Sequence, residues 1–151
     1  MSTHLQQGQI AEEVASRIAI SDLVAKYCHG CDDHDLETWL SIWSDDVVYA
    51  APNVLGTFEG TKGIREAADV IWSALPVTKH WTTNLLLDFD GPDRAKGRSD
   101  VTFDCEDTEG RTMFGAATYH DIFERRDGSW RIVRREIVVH YQKLIEIRPF
   151  E

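Results

Sequence analysis

Apolar residues recur at helical spacing through the first third of the chain and at strand spacing through its last half. Ile10, Val14, Ile18, Leu23, Val24 and Tyr27 predict a helix over about residues 10–29, with Gly30 as its stop signal. Asp33 or Asp35 can cap a second helix, whose Leu36, Trp39, Leu40 and Trp43 form one apolar stripe. A third helix fits Gly63 to Leu75, carrying Ile64, Ala67, Ala68, Ile71 and Trp72. Between the second and third lies VVYAAPNVLGTFEG, a short strand pair interrupted by Pro52 and Gly56.

After Pro76 the period changes. Long strands follow, separated by turn signals at Gly91-Pro92, Glu109-Gly110 and Asp127-Gly128. Residues 95–105 alternate cleanly, with Ala95, Gly97, Ser99, Val101, Phe103 and Cys105 on one face and charged or polar residues on the other. Residues 111–125 and 129–147 are the next two strands. Helices first and a meander of strands afterwards make an α+β fold, with helices on one face of the sheet. Strands this long twist and curl, so the sheet should wrap the helices as a cone with an open end, a natural ligand pocket. No repeat or linker divides the chain. One domain over residues 10–147 is expected, with a flexible tail at 1–9 and a short one at 148–151.

Composition narrows the functions. A length of 151 residues suits one domain with a sizeable core, and 42% hydrophobic with 28% charged residues is an ordinary globular balance. The formal charge of -10 repels phosphate backbones and anionic membrane surfaces, so neither nucleic acid nor membrane is an expected partner. No segment reaches the roughly 20 apolar residues of a membrane span. The start, MSTHLQQGQIAEE, lacks a basic region followed by an apolar run, and a cytoplasmic location is the expectation. Three cysteines, two of them close together, suggest reduced thiols rather than a disulfide framework.

Candidate chemistry is sparse. Cys28-His29-Gly30-Cys31 sits at the C-terminal end of the predicted first helix, where the helix dipole opposes a thiolate, so a redox role is not expected. As a zinc site it is half a set, and no metal or other cofactor is expected. Dinucleotide, nucleotide and hydrolase-elbow motifs are absent. Of six histidines, His4 lies in the expected tail and His29 and His34 flank a helix end, while His120 and His140 lie on strands with roles left open. His80 differs, because it starts a strand beside Trp81 and an apolar run, Leu85 to Leu87.

The segments LVAKYCHGCDDHDLETWLSIWSDDVVY, KHWTTNLLLDF and GAATYHDIFERRDGSWRI together resemble the SnoaL-like branch of the nuclear transport factor 2-like superfamily. The resemblance runs over about residues 10–145 and rests on SIWSDD, H-x-x-T-N-L and the Y-x-x-x-x-E-R-R-D-G-x-W hairpin. Within the family the chain is most similar to the hexachlorocyclohexane dehydrochlorinases, and more distantly to bile acid 7α-dehydratase and scytalone dehydratase. The resemblance implies a cystatin-like cone, with three helices in the concave face of a strongly curved, mainly antiparallel sheet. It also implies a cofactor-free lyase in which an Asp at the end of the first long helix orients a His at a strand start. By position these are Asp32 and His80, with His80 the general base.

Tyr27, Tyr49, Val101, Phe103, Tyr119 and Arg135 are the expected substrate-binding residues. The dehydratases carry polar groups on the strand occupied here by Val101 and Phe103, so an apolar, cyclic substrate is implied. A ketosteroid-isomerase-like isomerase, a polyketide cyclase and a non-catalytic binding or scaffold protein are the alternatives within the superfamily. Apolar residues on both faces of strand 129–147 (Ile132 and Val138 against Val133, Ile137 and Val139) suggest a homo-oligomer. The dehydratase relatives favour a trimer over a dimer.

Overall fold

The computed structural model describes residues 2–145, with side chains from Gln7 onward; the expected tail at 148–151 and the His4 side chain lie outside the described residues. The first helix, α1 (Ser2–Asp32), begins at Ser2 rather than near residue 10. Its core face is Ile20, Leu23, Val24, Tyr27, Cys28 and Cys31, whereas Ile10, Val14 and Ile18 are 63%, 50% and 60% exposed. Steps of four residues advance slightly more than one turn each, so the 10–14–18 series lies on a flank roughly 120° from the core face. Periodicity alone merged two stripes.

Gly30 does not stop α1 either. A Cβ there would meet the Trp39 backbone nitrogen at 2.8 Å, so glycine lets the next helix cross closely. His34, at φ 54, then turns the chain into α2 (Leu36–Ser41). Asp35, not Asp33, caps it, accepting from the Thr38 N–H at 3.1 Å and hydroxyl at 2.7 Å. Trp43 is outside this helix. It opens strand β1 (Trp43–Ala51), which pairs with β2 (Gly56–Glu59). Helix α3 (Gly60–Ala74) buries Ile64, Ala67, Ala68 and Ile71.

Four long strands follow: β3 (Val77–Phe89), β4 (Arg94–Glu106), β5 (Thr112–Arg126) and β6 (Ser129–Ile145). The sheet order is β2-β1-β6-β5-β4-β3, antiparallel except where β1 runs parallel to β6. This is the α+β architecture expected, with helices packed on a curved six-stranded sheet. No helix among the described residues is long and apolar enough to cross a membrane.

Strand parity is where the sequence misleads. β4 alternates as read, with Ala95, Ser99, Val101 and Cys105 buried. In β3 the ladder slips between Thr83 and Leu86, around Asn84 at φ 56, so Leu85 and Leu87 turn inward and Leu86 is 70% exposed. In β6 the register skips Val133: Phe123 pairs with Ile132, but Ile122 pairs with Arg134. Ile132 therefore shares the inner face with Ile137 and Val139, while Val138 faces out, which corrects the face assignment made from simple alternation.

Candidate active site

The last two turns of α1 carry Tyr27, Cys31 and Asp32 against the start of β3, which carries Thr78 and His80. The Asp32 carboxylate receives three hydrogen bonds. His80 Nδ1 lies 2.6 Å from Oδ1, the His80 backbone N–H donates to Oδ2 at 2.9 Å, and the Thr78 hydroxyl donates to Oδ1 at 2.9 Å. The side chains of His80 and Asp32 are only 13% and 4% exposed. Burial pushes the Asp32 carboxyl up, but the hydrogen bonds and charge of His80, with Thr78, outweigh it and hold the group below the ordinary 3.8. An ionised Asp32 accepts a hydrogen bond from Nδ1–H, and that tautomer leaves the Nε2 lone pair free.

That depressed value has a thermodynamic consequence. Because the folded-state pKa lies below the unfolded one, the stability Asp32 contributes is complete above about pH 3.8 and lost as pH falls through the folded-state value. The stability deficit of Asp32→Asn should therefore be largest at neutral pH and shrink in acid, as paired melting curves would show.

His80 opens onto a cavity lined with Tyr27, Tyr49, Phe103 and Tyr119 and walled by apolar side chains including Ile71, Leu75, Ile137 and Val139. The Tyr27 and Tyr49 hydroxyls are 3.0 Å apart, and the Tyr27 ring stands edge-on to His80 with centroids 6.1 Å apart. Burial raises the pKa of Tyr27, Tyr49 and Tyr119, so all three phenols are neutral and able to donate. Two expected pocket residues are elsewhere. Val101 is 2% exposed within the core, and neither it nor Arg135 lines the cavity.

Arg135 stands behind the tyrosines instead. It is fully buried, bonded to both Asp121 oxygens at 2.8 and 2.7 Å, and held between the rings of Tyr27 and Tyr119 at 4.1 and 4.2 Å. Burial opposes its charge, yet Asp121 raises the pKa above the ordinary value. Tyr49, Arg135 and Asp121 are consecutive partners across β1, β6 and β5. Asp121 and Thr78 were not among the expected residues. Thr78 could have been found, since it lies two residues before His80 on the same strand face.

The cysteines are free and buried. Cys28 contacts the Thr82 hydroxyl at 3.2 Å, and Cys31 lines the cavity. Burial raises both thiols, Cys31 to about 12 with Asp32 adding to it, so neither is a thiolate. His29 and His120 are exposed, and His140 Nε2 is 2.8 Å from the Thr118 hydroxyl.

His80, Phe103 and Gly115 are consecutive partners across β3, β4 and β5. A Cβ on Gly115 would meet the Phe103 ring at 2.3 Å, so glycine is what seats that ring in the cavity wall. Gly115→Ala should force the ring aside and destabilise the fold by about 1–3 kcal/mol, measurable in a denaturant melt.

Known proteins resemble this chain over most of its length. The SnoaL-like domain model matches residues 12–136. Hexachlorocyclohexane dehydrochlorinase 1 of Sphingobium indicum is 33% identical over 132 residues, 86% of this chain and 85% of that protein. The crystal structure of a type 2 hexachlorocyclohexane dehydrochlorinase (LinA) superposes with a TM-score of 0.87 at 31% identity, covering 93% of this chain and 96% of the other. The type 3 enzyme of Novosphingobium barchaimii gives 0.85 at 29%, covering 93% and 97%. With the domain model matching most of its length and relatives 33% identical over 86% of it, the chain belongs to the SnoaL-like domain family.

Proposed function

We propose that this protein is a cofactor-independent lyase acting on an apolar, cyclic small molecule, with His80 as the general base and Asp32 as the residue that orients it. The observation that carries the reading is the 2.6 Å contact between Asp32 and His80 Nδ1, beside a cavity with apolar walls. Nε2 takes a proton from a ring carbon, the C–H electrons form the new double bond, and the group on the neighbouring carbon leaves with its bonding pair. Asp32 stabilises the imidazolium that results, and water then removes the proton from His80. The neutral Tyr27 and Tyr49 hydroxyls are donors for a departing halide or hydroxide.

The relatives named as dehydrochlorinases support halide as one leaving group, and the tyrosine pair supports hydroxide as the other. The experiment is a screen of cyclic halides, alcohols and ketones, reading released halide, the olefin formed by water loss, or an isomerised ketone. Elimination in wild type that is absent from His80→Ala supports the reading. Isomerisation without release would replace it with the isomerase alternative, and no turnover of any class with tight binding would leave a carrier.

A homo-oligomer, with a trimer favoured over a dimer, is part of the same proposal. Val138, Tyr141, Leu144 and Ile145 of β6 are 40–63% exposed, an apolar surface that a second copy would cover. Light scattering should give a mass near three chains at micromolar concentration. A stable monomer would refute it.

A further inference from the structure

Cys31, Asp32 and His80 each direct a ligand atom into one small volume: the three atoms lie within 4.8 Å of one another. Cys31 and His80 both line the cavity, so a fourth position is open to solvent or substrate. Thiolate, imidazole and carboxylate with one open position is a donor set that suits tetrahedral zinc. The sequence motif pointed to Cys28 as the partner of Cys31, but Cys28 turns to Thr82. The partners come instead from the next residue and from a strand far along the chain.

We propose that Cys31, Asp32 and His80 form an inhibitory zinc site, in which the ion takes the place of the proton between His80 and Asp32. The inhibition, though not the binding, rests on His80 being the base. Binding balances as follows. The neutral imidazole moves its proton from Nδ1 to Nε2, Nδ1 donates its lone pair to zinc, and the Cys31 thiol releases one proton to solvent. One carboxylate and one thiolate then neutralise the divalent ion, so the buried site carries no net charge.

With zinc bonds of about 2.0–2.1 Å, tetrahedral geometry needs Nδ1 and Oδ1 roughly 3.3 Å apart, so the imidazole swings out by under an ångström from its 2.6 Å contact. The cavity on its other side gives it room. Surrounding contacts already hold the ligands. The Trp72 indole N–H donates to the Cys31 carbonyl at 3.0 Å, and the Thr78 hydroxyl and His80 backbone N–H hold Asp32. The high pKa of the buried thiol is no obstacle, because a coordinating cation deprotonates it. A zinc-bound Nδ1 places the remaining proton on Nε2, and the base is gone.

The test uses the untagged full chain, stripped with a chelator and titrated with zinc chloride in an isothermal calorimeter. One ion per chain and one proton released per ion are expected. Cys31→Ser should weaken binding by at least about tenfold, while Cys28→Ser should not change it. Cobalt should give a sulfur-to-metal charge-transfer band in wild type that Cys31→Ser lacks. Saturating zinc should lower turnover about a hundredfold or more, the scale of losing the base, and a chelator should restore it. No stoichiometric binding, or binding unchanged in Cys31→Ser, overturns the site. Bound zinc with undiminished turnover overturns its inhibitory role. If zinc binds as described but His80→Ala is fully active, the base assignment fails while the metal site stands.

Discussion

His80→Ala is expected to lose turnover by about 10²–10⁴-fold while the protein stays folded, since that is the range general-base catalysis supplies. The side chain is 13% exposed at a cavity wall, so its removal leaves a space solvent can fill rather than a sealed void. Asp32→Asn should be as severe or worse. The amide keeps the shape of the carboxylate but cannot stabilise an imidazolium, and it can hold the ring in the wrong tautomer. In a buried triad the same change costs about 10⁴. A purely structural role predicts the reverse pattern: lowered melting temperatures in both variants and an unchanged rate per folded molecule. Rates and melting curves on the same preparations decide between them.

Asp121→Ala is expected to destabilise the protein by about 3–5 kcal/mol, the cost of leaving a buried charge without its partner. Arg135 has no access to solvent, and its Nη1 already lacks a hydrogen-bond partner. Removing Asp121 strips away both of its strong bonds at once. Against a total stability of about 5–15 kcal/mol the loss is large, and the melting temperature should fall by on the order of 10 °C. Replacing both partners together, Asp121→Leu with Arg135→Met, should recover much of the loss, because an apolar pair of similar volume has no charge to desolvate. If the single variant melts like wild type, the ion pair is not holding the floor beneath Tyr27 and Tyr119.

How much of this was legible in the sequence follows from how local each signal is. Turn residues and strand alternation act over a few positions, so the hairpin at Asp127-Gly128, both with positive φ, and the inner face of β4 could be read directly. Asp32 and His80 were reached through the family resemblance, since nothing near either residue announces a partner 48 positions away. Asp121 was not reached at all. Counting outward from the turn pairs Phe123 with Ile132 and would set Arg135 opposite His120, an exposed residue. The extra residue at Val133 moves Arg135 opposite Asp121 instead, and no side-chain pattern in that stretch reveals the skip. Likewise the exposed Ile10, Val14 and Ile18 have the right composition for a core stripe and the wrong angle.

The skip at Val133 also makes residue count, not residue type, the quantity that sets the chemistry of the inner wall. Before it, β6 sends Trp130 and Ile132 inward; after it, Arg135, Ile137 and Val139. Pairing Val133 into the ladder instead of bulging it would act on the strand as a frameshift acts on a reading frame, turning the guanidinium out to solvent and Arg134 and Glu136 in. A wall segment transplanted into this scaffold therefore keeps Arg135 inward only if Val133 stays bulged out of the ladder or is left out altogether.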